Sequence, residues 1–293
     1  MITGRTALYG VIGHPVAHSR SPEMQNAAFA RAGIDAVYVA LPVPPERVPE
    51  AIAGALALGF SGLNVTVPHK QAVLPLCASL DPAAREIGAV NTLRRGGSGW
   101  EGFNTDAPAL AALLEAAGVG SGARALLVGA GGAARAGAWA LARRGAEVRI
   151  AARRPEAARA LAGALGRANP PGTPAPRAAA WEDLAAEADA ADVVVNGTSV
   201  GLPGHEPDAL PGIRLRSGQV AADFVYGDTA FARAARAAGA RLVTGEQILV
   251  RQGALAFALW TGRPAPEAEM ASALASPAQP SPARGEAGDR IPR

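Results

Sequence analysis

The chain has 293 residues, 49% of them apolar but only 4% aromatic, and a formal net charge of +3. That length suggests two domains, with cores built from Ala, Val and Leu. Arginines scattered along the chain argue against nucleic acid, which needs a basic stripe on one face. The lack of an apolar run of about 18 residues argues against a membrane span.

Residues 7–12 form a short apolar run closed by Gly13, which predicts a buried strand. A polar loop with His14, His18, Ser19 and Ser21 follows, then a predicted helix over 22–32. Ser21 before Pro22 suits an N-cap and N1 pair. Two hydroxyls ahead of a helix N-terminus also suit a carboxylate site, and both readings stay open.

Residues 36–41 predict a second strand, 45–58 an amphipathic helix, and 62–67 a third strand that delivers Lys70 to the start of the next helix. This β-α-β-α-β pattern predicts a parallel sheet with helices on its faces, in which ligands sit beyond the carboxyl ends of the strands. Lys70 is the only lysine; the other basic side chains are arginine. Arginine holds its proton in proteins, whereas lysine can be tuned to release one, so a surviving lysine beside Asn64 and Thr66 is a candidate for chemistry. The plainer reading is one lysine left on a solvated face.

The single cysteine, Cys77, rules out an internal disulfide and suits a reducing cytoplasm. No charged region followed by an apolar core marks a secretion signal at the N-terminus. Strands at 89–93 and 100–103 flank a glycine-rich hairpin turn at 95–99. Asn64, Asn91 and Asn104 fall close together in this region of an asparagine-poor chain. Asp106, taken alone, reads as the cap of a helix over 107–117.

The second half opens with a strand at 125–128, then Gly129-Ala130-Gly131-Gly132-Ala133-Ala134, a helix to about 144, Gly145, and a strand at 147–151. This is the dinucleotide fingerprint G-x-G-x-x-G/A in its strand–loop–helix–strand setting. After the second strand an NAD site would place Asp or Glu on the ribose hydroxyls; this chain has Ala152, Arg153 and Arg154. Two guanidiniums and no carboxylate favour a 2′-phosphate, hence NADP. Further strands at 192–195, 219–225 and 240–243 run into Thr198-Ser199 and Tyr226, and a helix over 246–259 carries Gln252. Residues 276–293, rich in Pro, Ala, Gly and charge, read as a disordered tail. No His/Cys spacing suggests a metal.

Taken together, the chain resembles shikimate dehydrogenases over nearly all of residues 7–262. The matching motifs are Gly13-x-Pro15-x-x-His18-Ser19-x-Ser21-Pro22, Asn64-Val65-Thr66-Val67-Pro68-x-Lys70, Gly88-Ala89-Val90-Asn91-Thr92, Gly102-x-Asn104-Thr105-Asp106, Gly129-Ala130-Gly131-Gly132, Asn196-x-Thr198-Ser199, and Gln252-Gly253 with Trp260-Thr261-Gly262. The resemblance implies an α/β fold of two domains. Residues 1–106 plus 244–275 would form a mostly parallel α/β substrate domain completed by C-terminal helices, and 107–243 an inserted Rossmann domain for NADP. It implies a Lys70–Asp106 catalytic pair for NADPH-dependent reduction of 3-dehydroshikimate to shikimate. Ser19, Ser21, Asn64, Thr66, Asn91, Asp106, Tyr226 and Gln252 would hold the substrate. Gly129, Ala130, Gly131, Gly132, Ala133, Arg153, Arg154, Thr198, Ser199, Phe224 and Gly245 would hold the cofactor. A cytoplasmic monomer or homodimer is implied.

The chain departs from the family pattern at Gln25, where histidine is usual, at Ala152-Arg153-Arg154, at the short Tyr226-Gly227-Asp228-Thr229 segment, and at Ile248, where methionine is usual. Two rival readings stand beside the main one: a broader quinate/shikimate dehydrogenase, and an NADP-binding sensor with the same fold and no turnover.

Overall fold

The computed structural model describes residues 2–202 and 209–275; the tail expected to be disordered lies outside them. Two six-stranded sheets organise the chain. The first half supplies β1 (Ala7–Gly13), α1 (Ser21–Arg31), β2 (Ala36–Pro42), α2 (Val48–Ala57), β3 (Gly62–Val65), β4 (Ser79–Leu80), α3 (Pro82–Ile87), β5 (Thr92–Gly96) and β6 (Gly99–Phe103). The strand order is β2-β1-β3-β5-β6-β4. The β1–β2 and β1–β3 pairs are parallel, whereas β5 runs antiparallel to both β3 and β6. The hairpin turns through Gly97-Ser98, with Gly96 opposite Gly99.

The second sheet takes α4 (Asp106–Ala116), β7 (Arg124–Val128), α5 (Gly132–Arg143), β8 (Glu147–Ala151), α6 (Pro155–Ala168), β9 (Arg177–Ala178), α7 (Leu184–Ala190), β10 (Val193–Asn196), β11 (Val220–Asp223), α8 (Ala230–Ala237) and β12 (Arg241–Val243). Its order is β12-β11-β10-β7-β8-β9, with every pair parallel. That is the doubly wound pattern, reversing beside β7, where the glycine-rich turn lies. The chain then returns to the first sheet with α9 (Gly245–Thr261) and α10 (Glu267–Ala275).

Small residues let these layers close tightly. One face of the second sheet is sealed by Leu110, Leu141 and Val148, the other by Leu126, Leu184 and Phe231. The few aromatic residues concentrate where the C-terminal helices meet the first sheet. Tyr9, Phe29 and Phe257 stack there, with ring centroids 4.9 and 5.4 Å apart. The sequence expectation of a first sheet completed by C-terminal helices therefore has a physical basis. Without α9 and α10, those rings would face water.

Several local expectations need correction. Lys70 does not open a helix; it lies in a run of turns ending in a short 3₁₀ segment at Leu74–Leu76. The Lys70 carbonyl accepts from the distant Val90 N–H at 2.8 Å, and Pro75 has no N–H with which to continue a helix. The helix expected over 45–58 divides into a 3₁₀ turn, Pro45–Arg47, and α2. Helix α1 begins at Ser21 itself. Its N-cap residue, Arg20, makes no side-chain cap bond, and Ser19 Oγ accepts from Ser21 N at 3.3 Å. Asp106 does not cap α4 but is its first residue, and Asn104 Oδ1 accepts from Ala107 N at 3.1 Å. The Asp106 carboxylate is thereby released for other partners.

Candidate active site

The cleft between the two sheets holds a cavity of about 400 Å³. Its first wall comes from the carboxyl ends of β1 and β3, which deliver Ser19, Ser21, Asn64, Thr66 and Lys70. Asn91, Asp106 and Gln252 form the floor. The opposite wall brings Ala133 from the start of α5, Thr198 and Ser199 after β10, Phe224 and Tyr226 after β11, and Gly245 at the head of α9. Every expected substrate residue thus lines one cavity. Among the expected cofactor residues, Gly129, Ala130, Gly131, Gly132, Arg153 and Arg154 lie outside its lining.

At the floor, Lys70 Nζ lies 2.6 Å from Asp106 Oδ2, with side chains only 12% and 6% exposed. A pair this buried needs its remaining lone pairs satisfied. Asn91 does this: its Nδ2 donates to Asp106 Oδ1 and Thr105 Oγ1, both at 2.9 Å, and to Gln252 Oε1 at 3.3 Å. Asn91 Oδ1 in turn accepts from Thr105 N at 2.7 Å. Asn64 Nδ2 extends the network to the Asn91 carbonyl and Thr92 Oγ1, and Asn64 Oδ1 accepts from the Tyr38 hydroxyl at 2.7 Å. Burial pushes the Tyr38 hydroxyl well above its ordinary pKa, against a bond with Ser21 that lowers it. Tyr38 therefore stays a neutral donor.

Thr92, Thr105 and Tyr38 are site residues that sequence reasoning left without a role. The two threonines sit inside the quoted motifs, which was the available signal. Nothing near Tyr38 in sequence hints at its contact with Asn64.

The second wall is built around Asp223, which is fully buried and ends β11. Its Oδ1 accepts from Asn196 Nδ2 and Val225 N, and its Oδ2 from Thr229 Oγ1 at 2.6 Å. Asn196 Oδ1 then accepts from Thr198 N and Oγ1. One carboxylate so fixes both loops facing the cavity. Burial raises its pKa to about 6 despite those donors. Gly245 permits the neighbouring approach, since a Cβ there would fall 2.5 Å from the Val225 carbonyl.

The second sheet also has the donors a dinucleotide needs. Gly129 adopts φ +117, and a Cβ there would stand 2.9 Å from the Gly197 carbonyl oxygen. Gly131 precedes α5 without any side-chain cap bond, leaving the first-turn N–H groups for an anion. Space beside Gly131 is open. Arg153 and Arg154 are exposed just beyond β8, and among the described residues neither has an ion-pair partner. A turn that can cradle a pyrophosphate, followed by two available guanidiniums, fits a dinucleotide carrying an extra phosphate.

Residues 11–93 match the family described as shikimate dehydrogenase substrate binding domain, and 245–275 match the shikimate 5'-dehydrogenase C-terminal domain. The chain is 72% identical to shikimate dehydrogenase (NADP(+)) of Anaeromyxobacter sp. (strain K), covering 94% of this chain and 98% of that one. Among solved structures, it resembles a shikimate dehydrogenase in complex with NADP+ at TM-score 0.85 and 36% identity, over 94% of this chain and 96% of that chain. It also resembles the Thermus thermophilus enzyme in complex with NADP(H) and shikimate at TM-score 0.78 and 38% identity, over 91% and 98%. Identity at this level across nearly the whole of both chains, joined to a cavity that gathers the motif residues, means that this chain belongs to the shikimate dehydrogenase family.

Proposed function

We infer that the chain catalyses the reversible, NADP-dependent reduction of 3-dehydroshikimate to shikimate, in the biosynthesis of chorismate and the aromatic amino acids. The observation that carries this reading is the buried Lys70–Asp106 pair at the floor of a cavity shared with the N-terminus of the glycine-loop helix. We assign residues 1–106 plus 244–275 to substrate binding and 107–243 to NADP. Two separate sheets, with α9 and α10 packed on the first, support that division. Among the described residues no helix is long and apolar enough to cross a membrane. We place the enzyme in the cytoplasm, acting as a monomer or homodimer.

NADPH, when bound, supplies the hydride to the carbonyl carbon of the substrate. Gly129, Ala130, Gly131, Gly132 and Ala133 would hold its pyrophosphate, Arg153 and Arg154 its 2′-phosphate, and Thr198, Ser199, Phe224 and Gly245 its reactive end. Negative charge then builds on the carbonyl oxygen, and Lys70 Nζ stabilises it and donates a proton there. Asp106 holds the ammonium in place and accepts from a substrate hydroxyl. Ser19 and Ser21 bind the carboxylate. Asn64, Thr66, Asn91, Tyr226 and Gln252 orient the remaining hydroxyls and the ring.

The test is nicotinamide absorbance with shikimate and NADP, against NAD and against quinate. Lys70→Ala should lower kcat by about 10²–10⁴-fold with KM for shikimate little changed, because the lost interaction is made in the transition state. Lys70→Arg should also fail, since arginine holds its proton. Normal turnover in either variant would remove Lys70 from the proton transfer.

A further inference from the structure

We propose that Gly132 is a positioning residue for Lys70, and that its missing side chain lets the lysine stem lie across the first turn of α5 with Nζ aimed at Asp106. The proposal rests on the reading of Lys70 as the proton donor. Neither the fingerprint nor the backbone requires glycine at this position. The motif G-x-G-x-x-G/A is met by Gly129, Gly131 and Ala134, which leaves 132 at an unconstrained place. Gly132 is also absent from the glycines with positive φ, so an ordinary residue could adopt its backbone conformation. Alanine forms helix better than glycine, and alanine fills most of the neighbouring helical positions.

What forbids alanine is the lysine. A Cβ on Gly132 would lie 2.8 Å from Lys70 Cβ, 2.9 Å from Cδ and 3.3 Å from Cγ. Rotating the lysine side chain cannot relieve the first of these contacts, because Cβ moves only with the backbone. The backbone on both sides is held. The Lys70 carbonyl accepts from Val90 N, and the neighbouring His69 ring, 1% exposed, lies 2.7 Å from the Val43 carbonyl. Across the cleft, Arg135 Nε of α5 donates to the Ile87 carbonyl at 2.7 Å. Trp139 Nε1 bonds Glu86, which also pairs with Arg143. Close-packed layers pinned this way transmit a displacement to the mobile end, here the Nζ that must stay near Asp106 and the substrate. Gly132 thus connects the cofactor helix to the proton donor by direct packing.

The experiment compares Gly132→Ala with the parent chain at saturating shikimate and NADP. Misplacing a catalytic group by a fraction of an ångström predicts a kcat loss of about tenfold or more and a shifted pH profile of kcat. Gly132 would meet the pyrophosphate only through its backbone N–H at the head of α5, which alanine keeps, so the NADP dissociation constant, followed by tryptophan fluorescence, should change by less than about threefold. A folding readout independent of activity comes from Lys70→Gly, which removes the opposing Cβ. Adding Gly132→Ala should raise Tm in that background and lower it in the parent. A kcat within about twofold of the parent, or a loss carried wholly by NADP affinity, would overturn the proposal. Lys70→Ala run in parallel separates the two claims. If it is inactive while Gly132→Ala is active, only the positioning role falls; if it turns over normally, the reading of Lys70 falls first.

Discussion

Replacing Asn91 by aspartate probes the floor of the cavity from its centre. The substitution is nearly isosteric, but it puts a carboxylate oxygen where an amide now donates to Asp106 Oδ1 at 2.9 Å and Gln252 Oε1 at 3.3 Å. At an effective dielectric of about 20, two unit charges 2.9 Å apart repel by about 6 kcal/mol. Holding a proton on an aspartyl group at pH 7 costs only about 4 kcal/mol, from roughly three pH units at about 1.4 kcal/mol each. That repulsion favours keeping one proton on the pair, and the Lys70 ammonium, 2.6 Å from Asp106 Oδ2, offsets part of it. Lys70 holds the remaining charge on Asp106, so the introduced carboxyl carries the proton and still donates. The sign of the stability effect follows. A carboxyl whose folded pKa is raised contributes its full stability below the unfolded value of about 4 and loses it as pH rises through the folded value. The loss is bounded by the bare repulsion of about 6 kcal/mol, and the Lys70 ammonium reduces it. Thermal melts of Asn91→Asp from pH 4 to 9 should start near the parent and fall away progressively as pH rises above about 4, with shikimate oxidation lost over the same range. Melting curves parallel to the parent across that range would refute the reasoning, because they would mean that Asn91 does not face Asp106 in a water-poor site.

Two further predictions concern the second sheet. Arg153→Ala combined with Arg154→Ala should lower the NADP-over-NAD ratio of kcat/KM by about tenfold or more, the worth of a lost charge-assisted bond, and an unchanged ratio would contradict the phosphate role. Asp223, with its pKa raised from 3.8 to about 6, should weaken the fold by about 3 kcal/mol as pH climbs from about 4 to about 6, since its contribution is complete below the unfolded value. Asp223→Asn keeps the bonds from Asn196 and Val225 and abolishes that slope. Urea titrations at pH 4.5 and 7 should show the variant losing less stability than the parent; equal losses would remove Asp223 from the titration.

What the sequence made legible follows from how each signal arises. The strands at 7–12 and 125–128 were readable because short apolar runs closed by glycine are local patterns, and 147–151 because apolar and charged residues alternate after Gly145. The Arg153-Arg154 pair was readable because its place after the second Rossmann strand fixes its surroundings. Lys70 was placed on a helix because nothing local announces that its carbonyl will be taken by Val90. Asp106 looked like a cap because its neighbour Asn104, which serves that end of the helix, is an equally ordinary capping residue. Asn91 as the centre of the floor was out of reach, since its partners come from residues 105, 106 and 252 and meet only when α9 returns to the first sheet. The change at Gln25 is also explained only in three dimensions. Its buried amide donates to the Gly253 carbonyl at 3.0 Å, a bond that a histidine ring N–H could also make, while Gln25 Oε1 is left without a partner.

The two rims of the cleft are held by different contacts. On the Lys70 side, α5 is anchored to α3 by Arg135 on a backbone carbonyl, and by Trp139 and Arg143 on the Glu86 carboxylate. These bonds involve charged groups, partly screened from water, and each is worth more than its neutral counterpart. On the far side, the Tyr226 hydroxyl donates to the His18 carbonyl at 3.2 Å and also meets the Arg20 backbone. Opening the first rim would break several charge-assisted bonds and separate Gly132 from the stem of Lys70. The packing of Gly132 on Lys70 therefore depends on the rim that α3 and α5 hold together.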